Sequence, residues 1–173
     1  MILECYDAIR NAVGKDYPVM IKLTCTDFSE EGFSFDECRA LCTILAESGI
    51  DGIEISGNIH GKAEKMIGQE YDGHKLVKNG YFIEYAKIVA SEQAIPVFVT
   101  GGYRDRNEMN QWLNFSDICG FGMSRPLLCE PDLISCWKKG VEKKARCVQC
   151  SKCRTPAGNY CTVFEKRGGK QNG

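Results

Sequence analysis

The sequence predicts an α/β protein in which helices cover a parallel sheet. Three observations predict it: short strands that are apolar along their whole length, amphipathic helical stretches between them, and turn formers at each switch. Four strand–helix units can be traced. With right-handed crossovers, they leave two architectures, an open doubly wound sheet or part of a closed (β/α)8 barrel, which needs eight such units.

The elements follow in order. Ile2, Cys5, Ile9 and Val13 recur at helical spacing and stop at Gly14. The run from Pro18 to Thr24 is then short and apolar, a buried strand. Ser34 followed by Glu37 is a capping-box pattern, and Phe35, Cys38, Leu41, Cys42 and Leu45 line one helical face up to Ser48 and Gly49. A second strand covers Gly52–Ser56. From Gly57 to Asn79 no period is sustained, which predicts a long loop of the kind that is functional or mobile. Helical spacing resumes at Tyr81, through Phe82, Ile83, Ala86 and Val89. Ile95–Val99 is the third strand, Asn107–Leu113 a short helix, and Ile118–Gly122 the fourth strand. Pro131 fits the first turn of a last helix carrying Leu133, Ile134 and Trp137. After Gly140 the composition turns to Lys, Arg, Cys and Gly, so the expected division is residues 1–140 as the α/β domain and 141–173 as a metal-dependent tail with a frayed end.

Composition narrows the function classes. Apolar residues at 43% and charged ones at 26% are ordinary for a globular chain with one core. The formal net charge of −1 carries no electrostatic footprint for nucleic acid or an anionic membrane. Apolar runs such as Ile95–Val99 are far shorter than the roughly 20 residues of a membrane-spanning helix. Met1 to Cys5 do not begin an export signal, so a cytoplasmic protein is expected. Eleven cysteines, an odd number, then read as reduced thiols or metal ligands rather than a disulfide framework. Among them Cys38, Cys42 and Cys119 read as small buried hydrophobes.

Three places carry chemistry. Thr100-Gly101-Gly102-Tyr103 directly follows the third strand, and Gly122-Met123-Ser124-Arg125-Pro126 the fourth. Alone, the glycine pair reads as a turn and Arg125 as a surface ion pair. At the ends of consecutive strands, they supply backbone N–H groups, a hydroxyl and a guanidinium for a ligand's phosphate. Lys22 interrupts an apolar strand, and a buried ammonium needs an anion. Either Glu54 on the next strand meets it, or it faces the barrel mouth and stabilises negative charge on a reduced cofactor. Third, Cys147, Cys150, Cys153 and Cys161 lie on a short tail, and soft thiolates so spaced select zinc or an iron–sulfur cluster.

The runs Pro18–Leu23, Ala46–Gly57, Ile95–Gly102 and Gly122–Leu128 with Glu130–Leu133 together resemble the NADH:flavin oxidoreductase/old yellow enzyme family in order and spacing. The resemblance spans about Ile2 to Gly140 and corresponds to the C-terminal half of a (β/α)8 TIM barrel, strands five to eight. It implies that Lys22 lies by the pyrimidine edge of FMN, and that Gly101, Gly102, Ser124 and Arg125 hold the FMN phosphate. Family members that reduce 2,4-dienoyl-CoA carry a four-Cys run here that ligates a [4Fe-4S] cluster. Here the gap between Cys150 and Cys153 is one residue shorter and the gap to Cys161 several shorter, which keeps structural zinc as the alternative.

In the family, the first half of the barrel supplies the substrate-binding His/His or His/Asn pair and the proton-donating Tyr. His60 and His74, in the long loop, do not match that pair. The chain is therefore expected to be a fragment or a half-barrel completed by self-pairing or a second subunit. The function implied is hydride transfer from NAD(P)H through FMN to an activated alkene or similar small-molecule acceptor. Two rivals stand beside it: a catalytically silent half-barrel that retains no flavin, and a zinc-binding interaction module using the basic tail from Lys138 to Lys170.

Overall fold

The computed structural model describes residues 1–29, 31–57, 67, 79–141 and 143–164. Its centre is a four-stranded parallel sheet in sequence order, formed by β1 (Met20–Thr24), β2 (Gly52–Ser56), β3 (Val97–Thr100) and β4 (Ile118–Gly122). The helices are α1 (Ile2–Val13), α2 (Phe35–Glu47), α3 (Ile83–Glu92) and α4 (Arg106–Asn114), followed by the short α5 (Arg125–Cys129) and α6 (Leu133–Lys138). Consecutive parallel strands joined through helices are four βα units, half of a (β/α)8 barrel.

Side chains alternate across the sheet, and the two faces differ sharply. Ile53, Ile55, Val97 and Val99 point to the helix side and are essentially solvent-free. They meet Cys42 and Leu45 of α2 and Ala86 and Val89 of α3 in one core. The other face carries Lys22 opposite Glu54 in register, and Thr24 opposite Ser56. That face would line the barrel, and its upper level is polar.

The local signals explain the element ends. The Ser34 hydroxyl accepts the Glu37 backbone N–H while the Glu37 carboxylate accepts the Ser34 N–H, a complete capping box that starts α2. The Asp105 side chain accepts the Asn107 N–H and starts α4. Three expectations change. α3 begins at Ile83, because Tyr81 turns back to donate its N–H to the Gly101 carbonyl. Pro131 stands before α6 rather than in its first turn, since Asp132 is the N-cap residue. Cys119 is exposed, whereas Cys38 and Cys42 are buried as expected. The apolar stripe of α1 is also open: Ile2, Cys5, Ile9, Met20 and Ile21 line a groove of about 220 Å³ beside the β1 edge.

The chain beyond Gly140 does not hang free. Ala145 donates its N–H to the Arg104 carbonyl, and Trp137 donates its indole N–H to the Lys143 carbonyl at 2.8 Å. A two-stranded hairpin, β5 (Arg154–Thr155) and β6 (Gly158–Asn159), closes the described part. No described helix is long and apolar enough to cross a membrane.

Candidate flavin-phosphate site and thiol loop

The ends of β3 and β4 lie side by side, tied where the Thr100 hydroxyl donates to the Gly122 carbonyl at 3.0 Å. Beyond them opens a cavity of about 90 Å³ lined by Gly101, Gly102, Gly122, Ser124, Arg125 and Gln149, among others. All four residues expected at the phosphate therefore border one cavity. Gly101 and Gly102 have φ of 124° and 78°, in the region side chains avoid. A Cβ at Gly101 would also strike the Phe82 ring, and one at Gly102 the Tyr81 ring, so packing demands these glycines as well as any ligand.

The chemistry of the lining fits an anion. Among the described residues, the lining includes a guanidinium, an exposed hydroxyl and glycine backbone, and no carboxylate. Ser124 makes no capping bond to α5, which leaves its hydroxyl available. Arg125, which lines the cavity, donates through Nη1 to the Ser151 hydroxyl at 3.1 Å.

Lys22 is not a lone buried cation. Its ammonium lies 2.9 Å from the Glu54 carboxylate, with 53% of the Lys22 side chain exposed. The neighbouring-strand partner is thus the one observed. An ion pair this open contributes about 0–1 kcal/mol and leaves the ammonium able to turn to another acceptor on the inner face. A side chain at Gly122 would run into the same Glu54 carboxylate. His60 and His74 lie outside the described residues.

Two of the four expected thiols come together, joined by one that was not expected. Cys147 and Cys161 are buried against each other and against Cys129, which comes from α5 and was not among the expected ligands. Burial pushes the Cys129 thiol up to about 12, helped by its hydrogen bond with Cys161. Cys153 is half-buried; burial and then the neighbouring Cys147, Cys150 and Cys161 raise its pKa, against the pull of Arg125. Cys150 is exposed. Among the described residues, no three His, Cys, Asp or Glu side chains are arranged to hold a single metal ion.

Backbone conformation marks the same loop. Gln149 and Ser151 have φ of 55° and 58°, and among the described non-glycine residues only Phe28 shares that region. Such conformations persist where surrounding contacts over-determine them, often at functional sites. The contacts are present. Arg104 donates to the Cys147 carbonyl at 3.0 Å, and Gln149 donates its amide to the Gly102 carbonyl at 3.3 Å. Glu130, 1% exposed, accepts from the Lys143 ammonium at 2.8 Å and from the Arg146 backbone N–H. Burial works against its ionisation, but Lys143 and Arg146 outweigh that and hold its pKa below the ordinary value.

Comparison with known proteins gives this arrangement its context. An NADH-dependent flavin oxidoreductase of Aspergillus parasiticus is 32% identical over 136 residues, 77% of this chain and 30% of that protein. A second NADH-dependent flavin oxidoreductase, from Talaromyces variabilis, is 25% identical over 95% of this chain. These similarities support the NADH:flavin oxidoreductase/old yellow enzyme family as the one this chain resembles. No family model matches it. Flavin and NADH are the cofactors that this flavin oxidoreductase family implies. Solved structures agree on the fold: a 2-naphthoyl-CoA reductase superposes with a TM-score of 0.71 over 88% of this chain, at 21% identity, and morphinone reductase with 0.56 over 82%, at 17% identity. The chain spans less than half the length of these flavin oxidoreductases, 30% of the first and 41% of the second.

Sequence reasoning missed Cys129, Glu130, Gln149 and Ser151. Cys129 follows two leucines and reads as core, and Glu130 reads as an acid before a helix. Only their position beside the thiol loop reveals them.

Proposed function

We propose that this chain is the FMN-phosphate-binding portion of an NAD(P)H-dependent oxidoreductase of the ene-reductase type, which passes hydride through FMN to an activated alkene or similar acceptor. The observation that carries the reading is the shared, carboxylate-free cavity of Gly101, Gly102, Ser124 and Arg125 at the ends of consecutive strands. When bound, the flavin supplies the hydride chemistry, and the protein contributes binding, orientation and charge.

Each residue then has a physical task. Arg125 neutralises phosphate charge and Ser124 adds a hydroxyl donor, while Gly101 and Gly102 let backbone approach the oxygens. Lys22, by the pyrimidine edge, exchanges part of its contact with Glu54 for negative charge on the reduced cofactor. Cys147, Cys150, Cys153 and Cys161 are the residues that would hold a [4Fe-4S] cluster beside the phosphate site, which would require Cys150 and Cys153 to close on the buried Cys147 and Cys161. The buried association of Cys147 and Cys161 and the nearness of Cys153 support a shared centre. In this reading the chain divides near residue 140 into a half-barrel and a thiol tail. The rest of the barrel, whether the remainder of a longer chain, a second copy or another subunit, supplies the substrate-binding and proton-donating groups and covers the polar inner face.

Arg125→Ala tests the phosphate assignment. Removing a charge-assisted hydrogen bond of about 1.5–3 kcal/mol predicts roughly 10- to 100-fold weaker FMN binding with an unchanged circular dichroism spectrum. Unchanged affinity would remove the assignment. Serine at both Cys147 and Cys150 is expected to abolish iron and sulfide content, and full retention would defeat the cluster.

A further inference from the structure

A phosphate cavity needs donors on its walls and no bare acceptors, because a carbonyl oxygen repels the anion that a neighbouring N–H attracts. Gly101, Gly102 and Gly122 line the strand-end cavity and carry both groups. All three carbonyls are engaged. Gly101 accepts the Tyr81 N–H at 2.9 Å, Gly122 the Thr100 hydroxyl at 3.0 Å, and Gly102 the Gln149 side-chain amide at 3.3 Å. Tyr81 and Thr100 belong to the half-barrel itself. Gln149 reaches Gly102 from the thiol loop, 47 positions further along the chain.

The orientation of the Gln149 amide follows from its partner. A carbonyl only accepts, so the amide nitrogen and not the amide oxygen must face Gly102. That nitrogen carries two N–H groups, and Gly102 takes one. The loop is held there by bonds that use no thiol. Arg104 donates to the Cys147 carbonyl at 3.0 Å, Arg125 to the Ser151 hydroxyl at 3.1 Å, and the Arg146 N–H to the Glu130 carboxylate. Gln149 sits among these anchors with φ of 55° and lines the cavity.

We propose that Gln149 is a specificity-determining residue of the phosphate site. It covers the Gly102 carbonyl and turns its second N–H to the anion, so that the cavity selects a terminal phosphate monoester over a neutral hydroxyl. Arg125 supplies attraction at the β4 end, and Gln149 removes the acceptor at the β3 end. This role rests on the flavin-phosphate assignment above and not on what the thiols hold.

The test is the ratio of riboflavin to FMN dissociation constants, by flavin fluorescence on the anaerobically purified chain, for the native protein and two variants. Riboflavin lacks the phosphate and does not sense this wall. Gln149→Gly suits the left-handed backbone and removes only the side chain. It is expected to bind FMN about tenfold more weakly, the effect of one lost hydrogen bond to a charged group. Gln149→Glu keeps size and shape but puts a carboxylate where the amide stood. Like charge is expected to weaken FMN about a hundredfold. Riboflavin should bind the native protein and both variants alike, with unchanged circular dichroism.

A native ratio well above one that neither variant lowers overturns the role of Gln149 and leaves the phosphate site standing. Equal losses for FMN and riboflavin also overturn it, because Gln149 would then serve the fold rather than the anion. A native ratio of one, or no flavin bound at all, defeats the phosphate assignment, and the role of Gln149 falls with it.

Discussion

The half-barrel and the thiol loop are held together by different physics. In the half-barrel, Ile53, Ile55, Val97 and Val99 bury whole side chains against α2 and α3, and stability comes from apolar area. In residues 143–164 the buried residues are Ala145, Cys147 and Cys161, all small. Glu130 with Lys143 and Arg146, Arg104 with Cys147, Gln149 with Gly102, and Lys144 with Asp105 at 2.9 Å do the anchoring instead. A region fixed by area tolerates the loss of any single polar contact. One fixed by named hydrogen bonds and thiols is sensitive to each of them, and to conditions that leave the half-barrel intact.

Core truncation is the largest way to break that contrast. Ile55→Ala is expected to cost about 3–4 kcal/mol and to lower the stability of the entire chain in denaturant titration. Next, Glu130→Gln removes the charge that anchors Lys143 and Arg146, at about 2 kcal/mol. Its effect is local: protease cutting within 143–164 should rise sharply while the far-ultraviolet circular dichroism of the half-barrel stays. Cutting spread equally over both regions would show that the two are one cooperative unit.

Acid sharpens the same contrast. Glu130 has a folded-state pKa below its ordinary value of 4.5, so its contribution is fully present above that value and is lost as pH falls through the depressed one. Trp137, bonded to the Lys143 carbonyl, reports loop release by fluorescence. The change is expected below pH 4.5 in the native chain and to be absent from Glu130→Gln.

The smallest effect belongs to the half-barrel. The Tyr103 hydroxyl is buried with no hydrogen-bond partner among the described residues and its pKa is raised by that burial, so Tyr103→Phe should shift stability by less than about 1 kcal/mol.

The half-barrel was legible in the sequence for the reason that stabilises it. Buried parallel strands must be apolar on both ends of the Ile53–Ile55 and Val97–Val99 runs, and helix starts such as Ser34–Glu37 carry their own caps. Gly101, Gly102, Ser124 and Arg125 were legible because strand ends locate them, and β3 and β4 bring them to one cavity. Lys22 was legible only as a choice between partners, and the structure places Glu54 beside it.

The thiol loop resisted reading beyond its cysteine spacing. Its anchors join residues far apart in the chain, as Gln149 does with Gly102, and hydrogen-bond pairing of that kind leaves no periodic trace. The fifth thiol, Cys129, needed the docking of the loop on α5 before it joined Cys147 and Cys161. Likewise the open apolar stripe of α1 follows from which neighbours cover it, not from its own spacing.

The central claim is that the ends of β3 and β4 hold the flavin through its phosphate. The direct measurement is the ratio of riboflavin to FMN dissociation constants for the native chain and for Arg125→Ala, by flavin fluorescence under anaerobic conditions. The account predicts FMN binding at least about tenfold tighter than riboflavin in the native chain, with the ratio falling toward one in the variant. Equal affinity for the two flavins in the native chain, or a ratio untouched by Arg125→Ala, would contradict it.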